Sequence, residues 1–124
     1  MYHRNQLIGQ WHRSEQNGAQ NTNELAQMND DGSFSFSFYT YTPDGTIIDE
    51  ITELGDWGLV GDIHFTITKG EVENETHYVA EPTEADNYHA YKVLHLSAER
   101  FTYEHVVTGE KYTLFKVLTD SKQN

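Results

Sequence analysis

The chain has 124 residues, a length that suits a single domain, which we assign to residues 1–124. Twenty acidic and eight basic side chains give a formal net charge of −12, which argues against nucleic acid and against a membrane surface as partners. The sequence contains no cysteine, which excludes disulfides, thiolate nucleophiles and cysteine-based metal sites.

The N-terminal stretch MYHRNQLIGQW lacks the apolar run of roughly 7–15 residues that a signal peptide needs. No other window approaches the roughly 20 apolar residues that span a bilayer. We therefore expect a cytoplasmic protein, or an extracytoplasmic one if a leader has been removed.

Alternation of apolar and polar residues dominates the chain and is typical of β-strands. Turn sequences such as Asp30-Asp31-Gly32 and Pro43-Asp44-Gly45 separate the alternating runs. Short strands at this spacing favour an all-β sandwich or an antiparallel up-and-down barrel of about eight or nine strands. The predicted strands, in chain order, are Gln6 to Glu15, Glu24 to Asn29, Ser33 to Thr42, Thr46 to Leu54, Asp56 to Val60, Ile63 to Thr68, Tyr88 to Leu96, Arg100 to Val107 and Lys111 to Leu118.

In the third predicted strand, serine and phenylalanine alternate, so Phe34, Phe36 and Phe38 share one face. We expect this face to point into the barrel. The aromatic residues then change phase at Tyr39 and Tyr41, which predicts a β-bulge or a bend at Phe38-Tyr39. Beyond it, the tyrosines either re-enter the core or form an exposed patch.

The segment from Gly70 to Asn87 departs from the strand pattern, because it holds six acidic residues and a proline around Tyr78-Val79-Ala80. It fits a long loop, a short strand between acidic linkers, or a turn of helix. We interpret it as a solvated surface excursion, and the functional alternative is a lid over a barrel mouth.

Two turns, Ala98-Glu99 and Thr108-Gly109, predict the register of the last three strands. In this register Lys92 faces His105, and Val93 lies on the outer face. The predicted inner face collects Leu94, Leu96, Phe101, Tyr103, His105, Val107, Tyr112, Leu114 and Lys116. Its polar-tipped members need each other, water or a ligand as hydrogen-bond partners.

The first strand opens with Gly9-Gln10-Trp11, and Lys116 stands on the last predicted strand. These residues resemble the lipocalin or calycin superfamily, specifically its small bacterial lipocalin-like domains. The resemblance implies that Trp11 packs across the closed end of the barrel beneath Lys116, which replaces the usual arginine. Gly9, Trp11 and Lys116 are therefore expected to be structural.

Two further pieces resemble hairpins of the same bacterial domains. They are Asp31-Gly32-Ser33-Phe34, and Gly55-Asp56-Trp57 followed by Gly61-Asp62. The resemblance extends over nearly the whole chain, and it implies a barrel that can hold a small ligand.

Seven histidines invite a search for a metal site, but the sequence has no His-x-His, and Asp62-x-His64 is the nearest local pair. We expect no metal and no cofactor. No nucleophile motif is present, and we assign no catalytic residue. Acid–base chemistry by His105 with a neighbouring tyrosine stays open as an alternative.

The leading hypothesis is a noncatalytic binding protein for a small, mostly apolar or aromatic ligand held in the barrel. One alternative is an interaction module, such as a homodimer, that uses an exposed face carrying Tyr39 and Tyr41. Another is a small isomerase or hydratase that uses His105. The predicted ligand-binding residues are Phe34, Phe36, Phe38, Trp57, Tyr88, Tyr103, His105 and Tyr112.

Overall fold

A computed structural model of the protein describes residues 2–17 and 20–118, a range that the predicted domain, residues 1–124, exceeds at both ends. The described residues form nine β-strands and two short 3-10 helices, Arg4–Gln6 and Ala85–Asn87. Within them, no helix is long and apolar enough to cross a membrane. The strands are β1 (Gly9–Asn17), β2 (Gln20–Met28), β3 (Ser33–Tyr41), β4 (Ile47–Val60), β5 (Ile63–Glu73), β6 (Thr76–Val79), β7 (Tyr88–Leu96), β8 (Arg100–His105) and β9 (Lys111–Lys116).

Eight of these strands form a closed antiparallel barrel, and β6 extends the sheet at one edge of β5. The neighbours follow the order β4-β3-β2-β1-β9-β8-β7-β5, and β5 pairs with β4 to close the ring. β1 meets β9 with Trp11 opposite Lys116, and the Val117 N–H donates to the Gln10 carbonyl oxygen over 2.9 Å. The predicted all-β up-and-down barrel is confirmed.

β4 is one strand where the sequence predicts two, Thr46 to Leu54 and Asp56 to Val60. At the predicted break, the pairing of β4 with β5 shifts register between Leu54 and Gly55. A Cβ built on Gly55 would lie 1.9 Å from the Ile67 carbonyl oxygen, so glycine is required for this close approach. Leu54 pairs with Gly70 and Gly55 with Thr68, so the extra residue is Lys69 of β5. Gly55 therefore lies opposite a bulge, inside a continuous strand, and not in a turn between two strands.

The acidic segment from Gly70 to Asn87 contains regular structure. β5 continues through Glu73 and pairs with β6, whose four side chains are all exposed. The turn between them places Asn74 and Glu75 at φ values of 49° and 76°, the left-handed region that two-residue hairpin turns use. Of the three structures left open by the sequence, the short strand and the turn of helix are both present.

β7 contains a bulge that reverses the predicted facing of two residues. Val93 pairs with Tyr103, whereas His95 pairs with Thr102, so Leu94 is the extra residue. Val93 is consequently only 3% exposed, and Leu94 is 40% exposed. The prediction that Leu94 faces inwards and Val93 outwards is wrong, because one inserted residue exchanges the two faces of a strand.

The same bulge changes the partner of His105, which is Tyr91 and not the predicted Lys92. Val107 is also misplaced by the prediction: β8 ends at His105, and Val107 lies in the following turn with 83% of its surface exposed. The predicted inner residues that are buried as expected are Leu96, Phe101, Tyr103 and Leu114.

The phenylalanines of β3 face the interior, as the alternation predicts, and Phe34 is only 2% exposed. β3 pairs with β2 without a register shift, so Tyr39 and Tyr41 lie on the opposite, outer face. A bulge is present, but it falls between Thr40 and Tyr41 on the side of β4. It is therefore two residues later than the predicted position at Phe38-Tyr39.

Candidate functional site

The inward-facing side chains divide the barrel interior into a filled region, which we call the closed end, and an open region, which we call the mouth. The closed end holds the most buried large side chains, with Leu7 at 0% and Trp11 at 1% exposure. Burial of each such side chain contributes about 1.5–3 kcal/mol to stability. The closed end consists of Leu7, Trp11, Ala26, Met28, Phe34, Trp57, Leu96, Phe101 and Leu114.

Lys116 and Trp11 together seal the closed end. The Lys116 Nζ lies 4.6 Å from the Trp11 ring centroid and donates to the Ile8 carbonyl oxygen over 2.7 Å. The indole Nε1 donates to the Leu7 carbonyl oxygen over 2.9 Å. Burial lowers the pKa of Lys116, but the ring face and the carbonyl oxygen both attract its ammonium group. Gly9 has a φ of 127°, which residues with a side chain rarely adopt, and a Cβ there would lie 2.6 Å from the Lys116 Nζ. Both features favour the glycine of Gly-x-Trp.

At the mouth, the inward position of β1 changes from Trp11 to Arg13, and the interior becomes polar. The side chains leave a cavity of about 250 Å³, near the lower limit of roughly 300 Å³ that is typical of small-molecule sites. A neighbouring depression shares Arg13, Glu24 and Phe38 with this cavity. The cavity is lined by Arg13, Glu24, Phe36, Phe38, Glu53, His64, Thr66, His89, Tyr91, Tyr103 and Tyr112.

Arg13 is held in the mouth by acidic and aromatic partners. Its Nε donates to Glu24 Oε1 over 2.8 Å, and its Nη1 lies 3.5 Å from Glu15 Oε1. Its guanidinium carbon lies 5.3 Å from the ring centroid of Tyr112. Glu24 is only 9% exposed, so removal of Arg13 would leave a buried carboxylate without its counter-charge.

Glu53 contributes a second carboxylate to the cavity wall. Burial, together with the nearby carboxylates of Glu71 and Glu24, raises the pKa of Glu53, against an opposing hydrogen bond from Thr68. Among the described residues, no basic side chain forms an ion pair with Glu53. An adjacent depression of about 450 Å³ is lined by Glu53, Glu71 and Asp86, and no lysine or arginine of the described chain lines it. This side of the mouth therefore carries uncompensated negative charge.

His64 stands between the mouth and the closed end. Its ring stacks on Tyr91 at a centroid distance of 5.5 Å and meets Phe101 edge-on at 5.6 Å. Its Nδ1 lies 3.3 Å from the Gly58 carbonyl oxygen. Burial lowers the pKa of His64 to about 4, so the ring is neutral at neutral pH, and its Nδ1–H donates to that carbonyl.

Tyr103 offers a free hydroxyl to the cavity. The residue is 9% exposed and lines the cavity. Its hydroxyl has no hydrogen-bond partner in the described part of the chain. Every fully enclosed side-chain nitrogen or oxygen of these residues has a partner, so the Tyr103 hydroxyl is not enclosed and is accessible from the cavity. Burial, with Glu24 and Tyr91 nearby, raises the pKa of Tyr103 well above its usual value. The hydroxyl therefore stays protonated and polar.

His89 and His105 form a hydrogen-bonded pair beside the cavity, with 3.1 Å between His89 Nδ1 and His105 Nε2. His105 Nδ1 accepts from the backbone N–H groups of Val107 and Thr108 over 3.1 and 3.2 Å. Because this nitrogen is an acceptor, a neutral His105 carries its proton on Nε2 and donates it to His89. His105 thus fixes the turn after β8, and only His89 of the pair lines the cavity.

Half of the predicted ligand-binding residues lie in the cavity wall, and the others lie elsewhere. Phe34 and Trp57 belong to the closed end: Phe34 stacks on Phe36 at a centroid distance of 4.2 Å, and the Trp57 Nε1 donates to the Asn29 carbonyl oxygen over 3.0 Å. His105 lies behind His89. The predicted residues in the cavity wall are Phe36, Phe38, Tyr103 and Tyr112.

Tyr88 lies outside the barrel interior. It is 49% exposed, and its hydroxyl donates to the Pro82 carbonyl oxygen over 2.6 Å. The next residue along β7, His89, lines the cavity, and successive side chains of a strand point to opposite faces. Tyr88 therefore anchors the loop after β6 from the outer face.

Seven residues of the cavity wall are absent from the predicted set. The parity of Arg13 with Trp11, and the pairing of Arg13 with Glu24, carry the signal for two of them. Charged residues are expected at the surface. For this reason Arg13 and Glu24 are not predicted inside the barrel from the sequence alone. The seven are Arg13, Glu24, Glu53, His64, Thr66, His89 and Tyr91.

Comparison with protein-family models gives no match, and comparison with curated proteins gives none. Among solved structures, the chain is similar to a lipocalin-like protein from Bacteroides uniformis, whose crystal structure was determined at 1.79 Å resolution. The TM-score is 0.53, at 19% sequence identity, and the match covers 90% of this chain and 99% of that chain. An identity this low shows the fold alone, and it confirms the lipocalin-like barrel that the sequence resemblance implies.

Proposed function

We propose that this protein binds one small molecule in the mouth of its barrel and performs no chemistry on it. The observation that carries this proposal is the contrast within one interior. The closed end is filled with apolar side chains, whereas the mouth leaves about 250 Å³ between aromatic and polar groups. Filling such a space would stabilise the barrel, so an open, polar-walled space is better explained by a ligand.

The wall of the cavity supplies both kinds of contact that small-molecule sites use. Phe36, Phe38 and Tyr112 offer flat apolar surface, and the Tyr103 hydroxyl offers a group that can fix orientation. The cavity volume favours a ligand of about one ring with a polar substituent. The lipocalin-like fold supports this proposal, because small antiparallel barrels have room for one small ligand.

Two features support binding without catalysis. Burial lowers the pKa of His64 to about 4 and raises that of Tyr103, so neither group exchanges protons readily near neutral pH. His105 uses its Nδ1 to accept two backbone N–H groups and its Nε2 to contact His89. His64 and Tyr103 therefore form the cavity wall, and His105 stabilises the turn after β8. We propose that the ligand binds without being chemically changed.

A fragment screen by nuclear magnetic resonance tests the proposal. Single-ring fragments are titrated into the labelled protein, and their sites are mapped by amide shifts. We expect saturable binding at the mouth, and competition between different hits. Phe38→Trp adds volume to the cavity wall and should weaken binding, whereas Phe115→Trp makes the same change on the outside of the barrel, where Phe115 is 48% exposed.

Two results would overturn the proposal. One is a screen in which no fragment binds saturably. The other is a set of hits whose affinity is unchanged in Phe38→Trp, or whose shifts map to the outside of the barrel. The Phe115→Trp variant guards against a general effect of an added indole.

A further inference from the structure

The charges at the mouth do not balance within the protein. Among the described residues, Arg13 is the one arginine or lysine of the cavity wall, and it is already engaged by Glu24 at 2.8 Å and by Glu15 at 3.5 Å. Glu53 faces the same cavity without an ion-pair partner among residues 2–17 and 20–118. The adjoining depression adds Glu71. A ligand that enters this space therefore meets a wall whose unmatched charge is negative.

A second, independent feature is the hydroxyl of Tyr103. The residue is about nine-tenths buried, with 9% of its surface exposed, yet its hydroxyl lacks a hydrogen-bond partner within the described residues. In the described part of the chain, every enclosed side-chain oxygen has a partner, so this unpaired oxygen is accessible from the cavity and is free to bond to a group that enters it. A phenolic oxygen can accept a hydrogen bond from an N–H group.

We infer that the ligand is a small organic cation, an amine on an aromatic or aliphatic body, with its charged nitrogen directed to Glu53 and Tyr103. This inference rests on the proposed function and specifies the ligand class of the same cavity. The aromatic faces of the wall favour the same class, because cations are attracted to the faces of aromatic rings.

An organic cation fits the wall better than a metal ion does. In the described part of the chain, no group of three or more histidine or carboxylate side chains is arranged to hold a metal ion. An amine needs only one carboxylate and one acceptor, and its hydrocarbon part uses the apolar rings. The formal charge of −12 also raises the concentration of cations near the protein.

Calorimetry with three matched probes tests the inference. The probes are phenethylamine, 2-phenylethanol and phenylacetate, which share a phenyl ring and differ in charge. We expect phenethylamine to bind at least about tenfold more tightly than the alcohol, as a charge-assisted hydrogen bond predicts, and phenylacetate to bind most weakly.

Variants locate the effect. Glu53→Gln should weaken phenethylamine by about tenfold and leave 2-phenylethanol unchanged. Glu50→Gln is the matched control, because Glu50 is an exposed residue of the same strand. Tyr103→Phe keeps the ring and removes only the hydroxyl, and it should weaken phenethylamine by a few-fold. Near-ultraviolet circular dichroism checks that each variant keeps the wild-type packing.

The outcomes separate this inference from the proposed function. If 2-phenylethanol or phenylacetate binds as tightly as phenethylamine, the inference that the ligand is a cation is wrong, and the proposed binding function stands. The same holds if phenethylamine fails to bind while neutral or anionic fragments occupy the mouth. If Glu53→Gln and Tyr103→Phe both leave the amine affinity unchanged, the assigned contacts are wrong. If no compound binds, both proposals fall together.

Discussion

The closed end and the mouth are built on the same strands, at inward positions only two residues apart. On β1 the inward residue changes from Trp11 to Arg13, and on β9 it changes from Leu114 to Tyr112. One region excludes water and packs apolar rings, and the other holds a cavity with charged groups. A single step along the pleat therefore separates the residues that stabilise this barrel from those that can recognise a ligand.

The two regions also differ in how they treat an unmatched charge. Lys116 has no carboxylate partner in the described chain, but the Ile8 carbonyl oxygen and the Trp11 ring satisfy its ammonium group. Glu53 has no ion-pair partner among the described residues. The carboxylates of Glu71 and Glu24 lie near it. The charge at the closed end is thus satisfied within the protein, whereas the charge of Glu53 at the mouth has no opposite charge paired with it in the described part of the chain.

The largest expected effect comes from removing one aromatic ring from the closed end and one from the mouth. Trp11→Ala should lower the free energy of unfolding by about 3–5 kcal/mol, because it empties a fully buried site. Phe38→Ala at the mouth should cost clearly less, because Phe38 borders an existing cavity and is only half-buried. Urea unfolding of both variants measures the difference. Equal losses would mean that the mouth is part of the core.

The boundary between the regions can be tested through His64. Its pKa in the folded protein is about 4, below the ordinary value of 6.5. Between these values the unfolded chain binds a proton that the folded protein does not. The contribution of neutral His64 to the free energy of unfolding is therefore fully present above pH 6.5 and is lost as the pH falls towards 4. The loss amounts to about 3 kcal/mol.

His64→Phe should remove this part of the acid sensitivity, because phenylalanine fills a similar volume and does not titrate. Urea unfolding at neutral pH and in mild acid gives the pH dependence of each variant. His77→Gln serves as the control, since His77 is exposed on β6. Parallel acid sensitivity in wild type and His64→Phe would show that other groups cause it.

A smaller effect is expected from Lys116→Met, which removes the ammonium group above Trp11. The loss of the cation–π contact and of the bond to Ile8 should lower the free energy of unfolding by about 1–2 kcal/mol. Lys92→Met, at an exposed position of β7, should change little. Ligand affinity at the mouth should be the same in both variants. A change in affinity for Lys116→Met alone would mean that the two regions are coupled.

Much of the barrel could be predicted from the sequence, because alternation and turn residues mark strands directly. Bulges could not, since one extra residue has no signature of its own in composition. At Leu94 this omission had a large consequence: it inverted the facing of every earlier residue in β7. Tyr88 was consequently predicted to face inwards, where the structure places His89 and Tyr91.

The charged part of the site was missed for a different reason. Arg13 and Glu53 lie at inward positions by simple alternation from Trp11 and Trp57. The expectation that charged side chains lie at the surface outweighed this parity. That expectation fails at the mouth, where Arg13 is paired inside the barrel and Glu53 borders open space. In a barrel that binds a ligand, parity is the better guide near the open end.

The smallest expected effect concerns the cost of keeping Glu53 charged. The pKa of Glu53 is raised in the folded protein, so the folded state disfavours the ionised form. This penalty is complete above the folded pKa and shrinks as the pH falls from there towards the lower pKa of the unfolded chain. Glu53→Gln should therefore raise the melting temperature slightly at neutral pH, with a smaller gain in acid, and the exposed Glu50→Gln should change little. A variant that gains stability while it loses phenethylamine affinity cannot have lost binding through unfolding. If Glu53→Gln were less stable than wild type, Glu53 would already be satisfied inside the fold, and the contrast with Lys116 would fail.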